Sequence, residues 1–312
     1  MNHSYDIICV GMALVDSIIQ GFDPNPISAS GYRAASGSLN VGGEAVNEAM
    51  AAVKLGMKAA ILCSLGKDAA GDMIVAALNS CGVDTGLILR TDEHPTPVTT
   101  MFVHEDGTRK SITNSAHRYN FHPEQNTEHF IDAKGIILGS LFRAPFDDPM
   151  IIRSVLSASK AAGQLVFADT KLLNFRSLKL EDIRDSLPLI DYITPNEDEA
   201  RYYTEKDTPE EMADVFLNRG VKNVIIKLGG KGCFYKNTHE SLSLPACKIH
   251  AIDATGAGDN FIAGFASETL RGAANAEALR FANACGAICT TAVGAGTALK
   301  SSEQVLRFLA AA

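Results

Sequence analysis

Residues 253–265 read Asp253-Ala-Thr255-Gly256-Ala257-Gly258-Asp259-Asn-Phe261-Ile262-Ala-Gly264-Phe265. A β-like stretch, Cys247–Ile252, precedes the segment, and Phe261, Ile262, Phe265 and Leu270 follow it at helical spacing. This pattern is a glycine-rich turn opening a buried helix. The first N–H groups of a helix lack intrahelical partners and carry the positive end of its dipole. Glycine removes the Cβ shield, so Gly256, Ala257 and Gly258 can cradle an oxyanion or a phosphoryl group. Asp259, in the first turn of that helix, can take a proton from a substrate hydroxyl while the amides hold the phosphoryl group under attack. The plainer alternative is that Asp259 only complements the dipole, worth a few tenths to about 1 kcal/mol. The turn is neither Gly-x-x-x-x-Gly-Lys-[Ser/Thr] nor Gly-x-Gly-x-x-Gly.

Working outward, short apolar runs alternate with helical patterns. Tyr5–Val10, Ala59–Leu65, Gly135–Leu138, Leu165–Ala168, Leu189–Thr194 and Val221–Leu228 read as buried strands. Ala45–Leu55 and Ala70–Cys81 read as helices closed by Gly56 and Gly82, and residues 147–162 and 180–187 are further helical segments. Strands apolar at every position need cover on both faces. The expected fold is α/β: a doubly wound, mostly parallel sheet flanked by helices, in one domain over 1–312. Two stretches break the rhythm. Residues 12–40 contain Asp23-Pro-Asn-Pro26, and in residues 95–116 the runs Val98–His104 and Lys110–Asn114 flank Asp106-Gly107, a hairpin signal. Both fit a small β-sheet lid; the alternative is two long surface loops.

Composition narrows the function classes. With 46% hydrophobic and 21% charged residues, the 312-residue chain has material for a sizeable core and is not a disordered segment. A net charge of −8 argues against a nucleic-acid-binding surface. Seven cysteines, scattered and without a Cys-x-x-Cys pair, make disulfide and zinc frameworks poor readings and point to a reducing cytoplasm. The stretch MNHSYDIICVG lacks a signal-peptide pattern. Residues 276–299, rich in Ala, Gly and Thr, have too little bulk for a membrane span, so no membrane partner is expected.

DATGAGDNFIAGF resembles the C-terminal signature of the ribokinase-like (PfkB) carbohydrate kinases. Three further stretches resemble family elements in the family's order. They are Asn40-Val-Gly42-Gly43-Glu-Ala-Val-Asn47-Glu-Ala, Thr194-Pro-Asn196-Glu-Asp-Glu199-Ala, and Ile226-Lys227-Leu228-Gly229-Gly-Lys-Gly232. The resemblance spans nearly the whole chain and implies an ATP- and Mg²⁺-dependent kinase of a sugar, nucleoside or related alcohol, with a β lid. It implies that Asp259 is the catalytic base and Gly256–Gly258 the anion hole. Asp253 and Thr255 match positions that in many members hold a monovalent cation, here K⁺; an Asx turn is the alternative for Asp253. Asn196 and Glu199 match residues near the ATP phosphates and the magnesium, which Glu199 would bind through water. The same pair is also a helix capping box. Lys227, Gly229 and Gly232 fall along the nucleotide, or simply make a tight turn. Asn283 matches a position near the adenine, with a solvated helix face as alternative. Asp16, Gly43 and Asn47 match substrate-side positions; an ordinary loop acid is the alternative for Asp16.

Departures bear on the substrate. Glu44 follows Gly-Gly where some members carry Lys, Leu14 stands where ribokinases have Asn, and Gly139-Ser-Leu-Phe142-Arg143 lacks the glutamate of a ribose site. A small unphosphorylated sugar, fructose-like or a keto-deoxy sugar acid, is favoured over ribose. Arg33, Arg109 and Lys171 are cations that could meet an anionic group, with a solvated surface charge as the alternative for each. A nucleoside kinase, with Phe102 and Phe142 as walls for a base, is the first alternative, and a non-catalytic sugar- or nucleotide-binding regulator the second. Exposed lid strands are candidate edges for a homodimer.

Overall fold

The computed structural model describes residues 3–21, 34–104, 108–114, 121–173 and 176–311. In chain order the strands are β1 (Tyr5–Val10), β2 (Leu14–Gln20), β3 (Ser36–Gly42), β4 (Ala59–Leu62), β5 (Ser64–Gly66), β6 (Leu89–Thr91), β7 (Val98–Val103), β8 (Arg109–Thr113), β9 (Ala133–Leu141), β10 (Leu165–Thr170), β11 (Tyr192–Ile193), β12 (Asn223–Lys227), β13 (Cys233–Lys236) and β14 (Ser241–Leu244). The helices are α1 (Glu44–Lys54), α2 (Ala69–Cys81), α3 (Pro149–Ala161), α4 (Glu197–Thr204), α5 (Pro209–Leu217), α6 (Ala257–Leu270), α7 (Asn275–Cys289) and α8 (Ser302–Ala311).

The main sheet runs β14-β13-β12-β11-β10-β9-β1-β4. It is parallel from β12 to β4, and β13 and β14 add an antiparallel edge. Successive side chains of a strand point to opposite faces. Ile8 and Val10 therefore join one core with Ile136, Leu138, Val166 and residues of α3 and α5 such as Leu156 and Phe216. Ile7 and Cys9 join the other, with Phe167, Val46 of α1, Leu78 of α2 and Phe265 of α6. Burial on both faces is why these strands show no polar alternation.

A second sheet, β3-β2-β7-β8, is built from the two irregular stretches. The β7–β8 pair is the antiparallel hairpin read from the sequence, and β2 pairs antiparallel with β3 and parallel with β7. Asp23–Pro26, Arg33 and the Asp106-Gly107 turn lie outside the described residues, as does the side chain of Arg109. Strands β5 and β6 form a small parallel pair.

Several expected elements differ. Residues 180–187 are not one helix but two short 3-10 turns, Leu180–Ile183 and Leu187–Leu189, because Pro188 interrupts the pattern. The strand expected at Leu189–Thr194 shrinks to Tyr192–Ile193. Cys247–Ile252 forms no strand. Its apolar alternation is used differently: Cys247, Ile249 and Ala251 line a cleft, while Ile252 is exposed. The Ala- and Gly-rich stretch after residue 274 is α7, packed closely on α6; a Cβ at Gly264 would lie 2.8 Å from the Cys285 sulfur. Among the described residues, no helix is long and apolar enough to cross a membrane.

Candidate active site

The four motifs meet at the carboxyl ends of the parallel strands, the usual place for ligands in open α/β sheets. Helix α6 begins at the glycine turn. Gly256 is its N-cap with φ +77°, and a Cβ there would stand 2.2 Å from that of Ala295, so only glycine fits. The Ala257 N–H donates back to the Ala254 carbonyl at 3.2 Å. The amides of Gly256, Gly258 and Asp259 have no acceptor among the described residues. The bare donors therefore flank Ala257 rather than include it. Gly258 also admits a close neighbour: a Cβ there would sit 3.1 Å from the Lys227 ammonium.

Asp259 is 4% exposed and lines a cleft of about 590 Å³. Asn47 Nδ2 of α1 donates to its Oδ2 at 2.7 Å, joining the first motif to the last across 212 residues. Burial pushes the Asp259 carboxyl up to about 6. The Lys171 ammonium opposes that shift, Glu44 and Asp169 add to it, and the Asn47 amide opposes it.

The second and third motifs lie side by side. Asn196 and Lys227 are bridged as parallel strand neighbours, and the Lys227 N–H donates to the Pro195 carbonyl at 2.8 Å. Asn196 and Glu199 form the expected capping box of α4, with both reciprocal bonds at 2.9 Å. Glu199 Oε2 also accepts from the Thr170 hydroxyl at 2.8 Å. Burial and the nearby Asp169 push the Glu199 carboxyl up, while Lys227 opposes them. Glu199 still faces the cleft, so its carboxylate suits a hydrated Mg²⁺. Gly232, with φ +104°, would place a Cβ 2.0 Å from the Leu244 carbonyl oxygen, whereas the Gly229 position faces open space.

Asn196, Glu199, Lys227, Gly229, Gly232, Asn283, Thr255 and residues 256–259 all line the cleft. Asn283 also donates to the Pro245 carbonyl at 3.3 Å. Asp253 is not in its wall; its carboxylate accepts the Thr255 N–H and hydroxyl and the Gly294 N–H, tying the turn to the loop after α7. That is the Asx-turn arrangement. Asp16, Gly43 and Asn47 lie outside the cleft wall as well. Asp16, on β2, packs against the Gly42-Gly43 turn that starts α1, and burial with the nearby Glu44 pushes its carboxyl up. At Gly43, φ +98° and a Cβ position 2.4 Å from the Met12 carbonyl oxygen require glycine.

Two site residues escaped the sequence reading. Asp169 is 1% exposed and accepts from the Thr194 hydroxyl at 2.9 Å and from Lys227 at 2.5 Å. Glu48 is fully buried, and neither carboxyl oxygen has a hydrogen-bond partner among the described residues. Oxygens of Glu48, Asp169 and Asp259 lie within 4.8 Å of one another. Burial, then Asp259 and Asp169, push the Glu48 carboxyl far up. The only signal in the sequence was Glu48's place on the apolar face of α1.

A family model described as pfkB family carbohydrate kinase matches residues 6–302. The chain belongs to this family. It is a sugar kinase with the ribokinase-like α/β fold. It is 29% identical to a ribokinase of Haemophilus influenzae over 274 residues, covering 86% of this chain and 87% of that one. It is 27% identical to a 2-dehydro-3-deoxygluconokinase of Bacillus subtilis over 286 residues, 88% of each. A solved structure, Arabidopsis thaliana ribokinase complexed with ribose and ATP, superimposes with a TM-score of 0.87 at 26% identity over 98% of both chains.

Proposed function

We propose that this sugar kinase transfers the γ-phosphate of ATP to a hydroxyl of a small unphosphorylated sugar or sugar derivative, a fructose-like sugar or keto-deoxy sugar acid rather than ribose. The observation that carries this reading is the Asn47–Asp259 contact beside the bare amides of Gly256 and Gly258. Asp259 is the base: buried, it is ionised just above pH 6 and so near the best strength for accepting a hydroxyl proton at neutral pH. Asn47 holds one carboxylate oxygen and leaves the other for the acceptor alcohol. The amides meet the charge that gathers on the phosphoryl oxygens. Lys227, Gly229 and Gly232 flank the phosphates and Asn283 stands at the adenine end. Mg²⁺ would screen the phosphate charge, and Asn196 with Glu199 is the pair that would hold it through water. A K⁺ ion beside Asp253 and Thr255 would stiffen the turn.

Ribose is disfavoured because the 139–143 segment offers no carboxylate: Phe142 is buried and stacked on Tyr203 at 4.0 Å, and Arg143 donates to the Leu172 carbonyl. The same stacking removes Phe142 as a wall for a nucleoside base. The small sheet acts as a lid that excludes water as a competing acceptor, and its open edges favour a homodimer. All seven cysteines are free, which suits a cytoplasmic location. ADP release with fructose, ribose, 2-dehydro-3-deoxygluconate and nucleosides, with and without potassium, tests the reading. Turnover greatest on a nucleoside or on ribose would overturn the substrate class.

A further inference from the structure

Lys171 is the cation at this site that no motif accounts for. It follows the C-terminal end of β10 and lines the cleft together with Asp259, Gly258 and Glu199. Its backbone is fixed from both sides: its N–H donates to the Leu141 carbonyl at 3.0 Å, and the Tyr203 hydroxyl donates to its carbonyl at 2.6 Å. Lys227 is bound to Asp169 at 2.5 Å. By contrast, among the described residues no carboxylate comes within 4.0 Å of the Lys171 ammonium. Burial by itself would lower the Lys171 ammonium; Asp259, Asp169, Glu44 and Glu199 together hold it above the usual lysine range, so it stays charged. A charged ammonium on a held backbone, with no carboxylate partner among the described residues, thus shares the cleft with the base, where negative charge must arrive.

We propose that Lys171 binds the γ-phosphoryl group and stabilises its charge during transfer, supplying at the base a cation that neither Glu44 nor the paired Lys227 provides. This rests on the kinase reading above. In the step, the acceptor O–H bond breaks and its proton passes to Asp259. A new bond forms between that oxygen and the γ-phosphorus, and the bond from the γ-phosphorus to the ADP oxygen breaks. Charge spreads over the three equatorial oxygens, within reach of Lys171 on one side and of the Gly256 and Gly258 amides on another.

The test compares wild type, Lys171→Met and Lys171→Arg, each checked for an unchanged far-ultraviolet circular dichroism spectrum. Steady-state kinetics on the preferred sugar is combined with calorimetric binding of ADP and of β,γ-imido-ATP, both with Mg²⁺. Lys171→Met should lower kcat at least about 100-fold, and Lys171→Arg should restore about a tenth or more of wild-type kcat. Lys171→Met should weaken the imido analogue about fivefold while ADP affinity changes less than about twofold, since only the analogue carries a γ-phosphoryl group. The proposal is overturned by a Lys171→Met enzyme within about threefold of wild-type kcat. It is equally overturned if both nucleotides weaken alike, or if the loss is confined to sugar acids, which would make Lys171 a reader of the substrate carboxylate. Should wild type phosphorylate nothing in the panel, the kinase reading fails on its own account, and the analogue-to-ADP comparison alone decides Lys171.

Discussion

At Asp259 burial, the carboxylates of Glu44 and Asp169, the Lys171 ammonium and the Asn47 amide compete over one proton. Its folded value of about 6 lies above the ordinary 3.8, so the folded chain holds an extra proton between those pH values. Stability from this residue is therefore greatest below about pH 4 and falls as pH rises through about 6. Asp259→Asn should lower kcat at least about 100-fold. The same variant should melt above wild type at pH 7.5, by on the order of 1–3 kcal/mol, with the gain vanishing near pH 4. Wild-type kcat/KM should lose activity on its acid side near pH 6. Asn47 tests the same balance from the other direction. Its amide favours the ionised carboxylate, so Asn47→Ala should move that acid limb to higher pH and lower kcat/KM about tenfold or more. An acid limb unmoved in Asn47→Ala would show that another group controls it.

Two turns and one cap set the precision of the site. At Gly256 a side chain meets both a positive φ and the Ala295 backbone, so Gly256→Ala should destabilise by at least about 2 kcal/mol and close the anion hole. Gly230→Ala faces open space with no positive φ and should leave the melting temperature nearly unchanged, which separates steric loss from a general loss of loop freedom. Asn196→Ala removes one half of the α4 capping box and should cost about 1 kcal/mol by denaturant unfolding. If Asn196 also serves the nucleotide, the KM for ATP will rise in that variant; an unchanged KM would leave it a cap only.

On the scale of the molecule, the small sheet is separate from the main one, and among the described residues β3 and β8 are its edges, carrying exposed Leu39 and Ile112. Open edges with apolar side chains favour pairing with a second copy. Sedimentation at micromolar concentration should show a dimer that Leu39→Glu shifts toward monomer; monomer alone in the wild type would remove the dimer. Much of this architecture was legible in the sequence. Strands buried on both faces announce themselves as unbroken apolar runs, glycine turns mark where backbone must approach backbone, and the runs Val98–His104 and Lys110–Asn114 pointed to the antiparallel pairing of β7 with β8. These are local consequences of burial and backbone sterics, which neighbouring residues alone dictate. The run Cys247–Ile252 misled because alternation says that a segment is extended and half-buried, not whether a strand lies beside it. Likewise, Glu48 and Asp169 look like ordinary acids until distant segments fold around them. Only tertiary structure brings half-buried Asn47 to Asp259 and strips water from that carboxyl, and it is that loss of water, set by residues hundreds of positions apart, that decides the protonation and hence the chemistry.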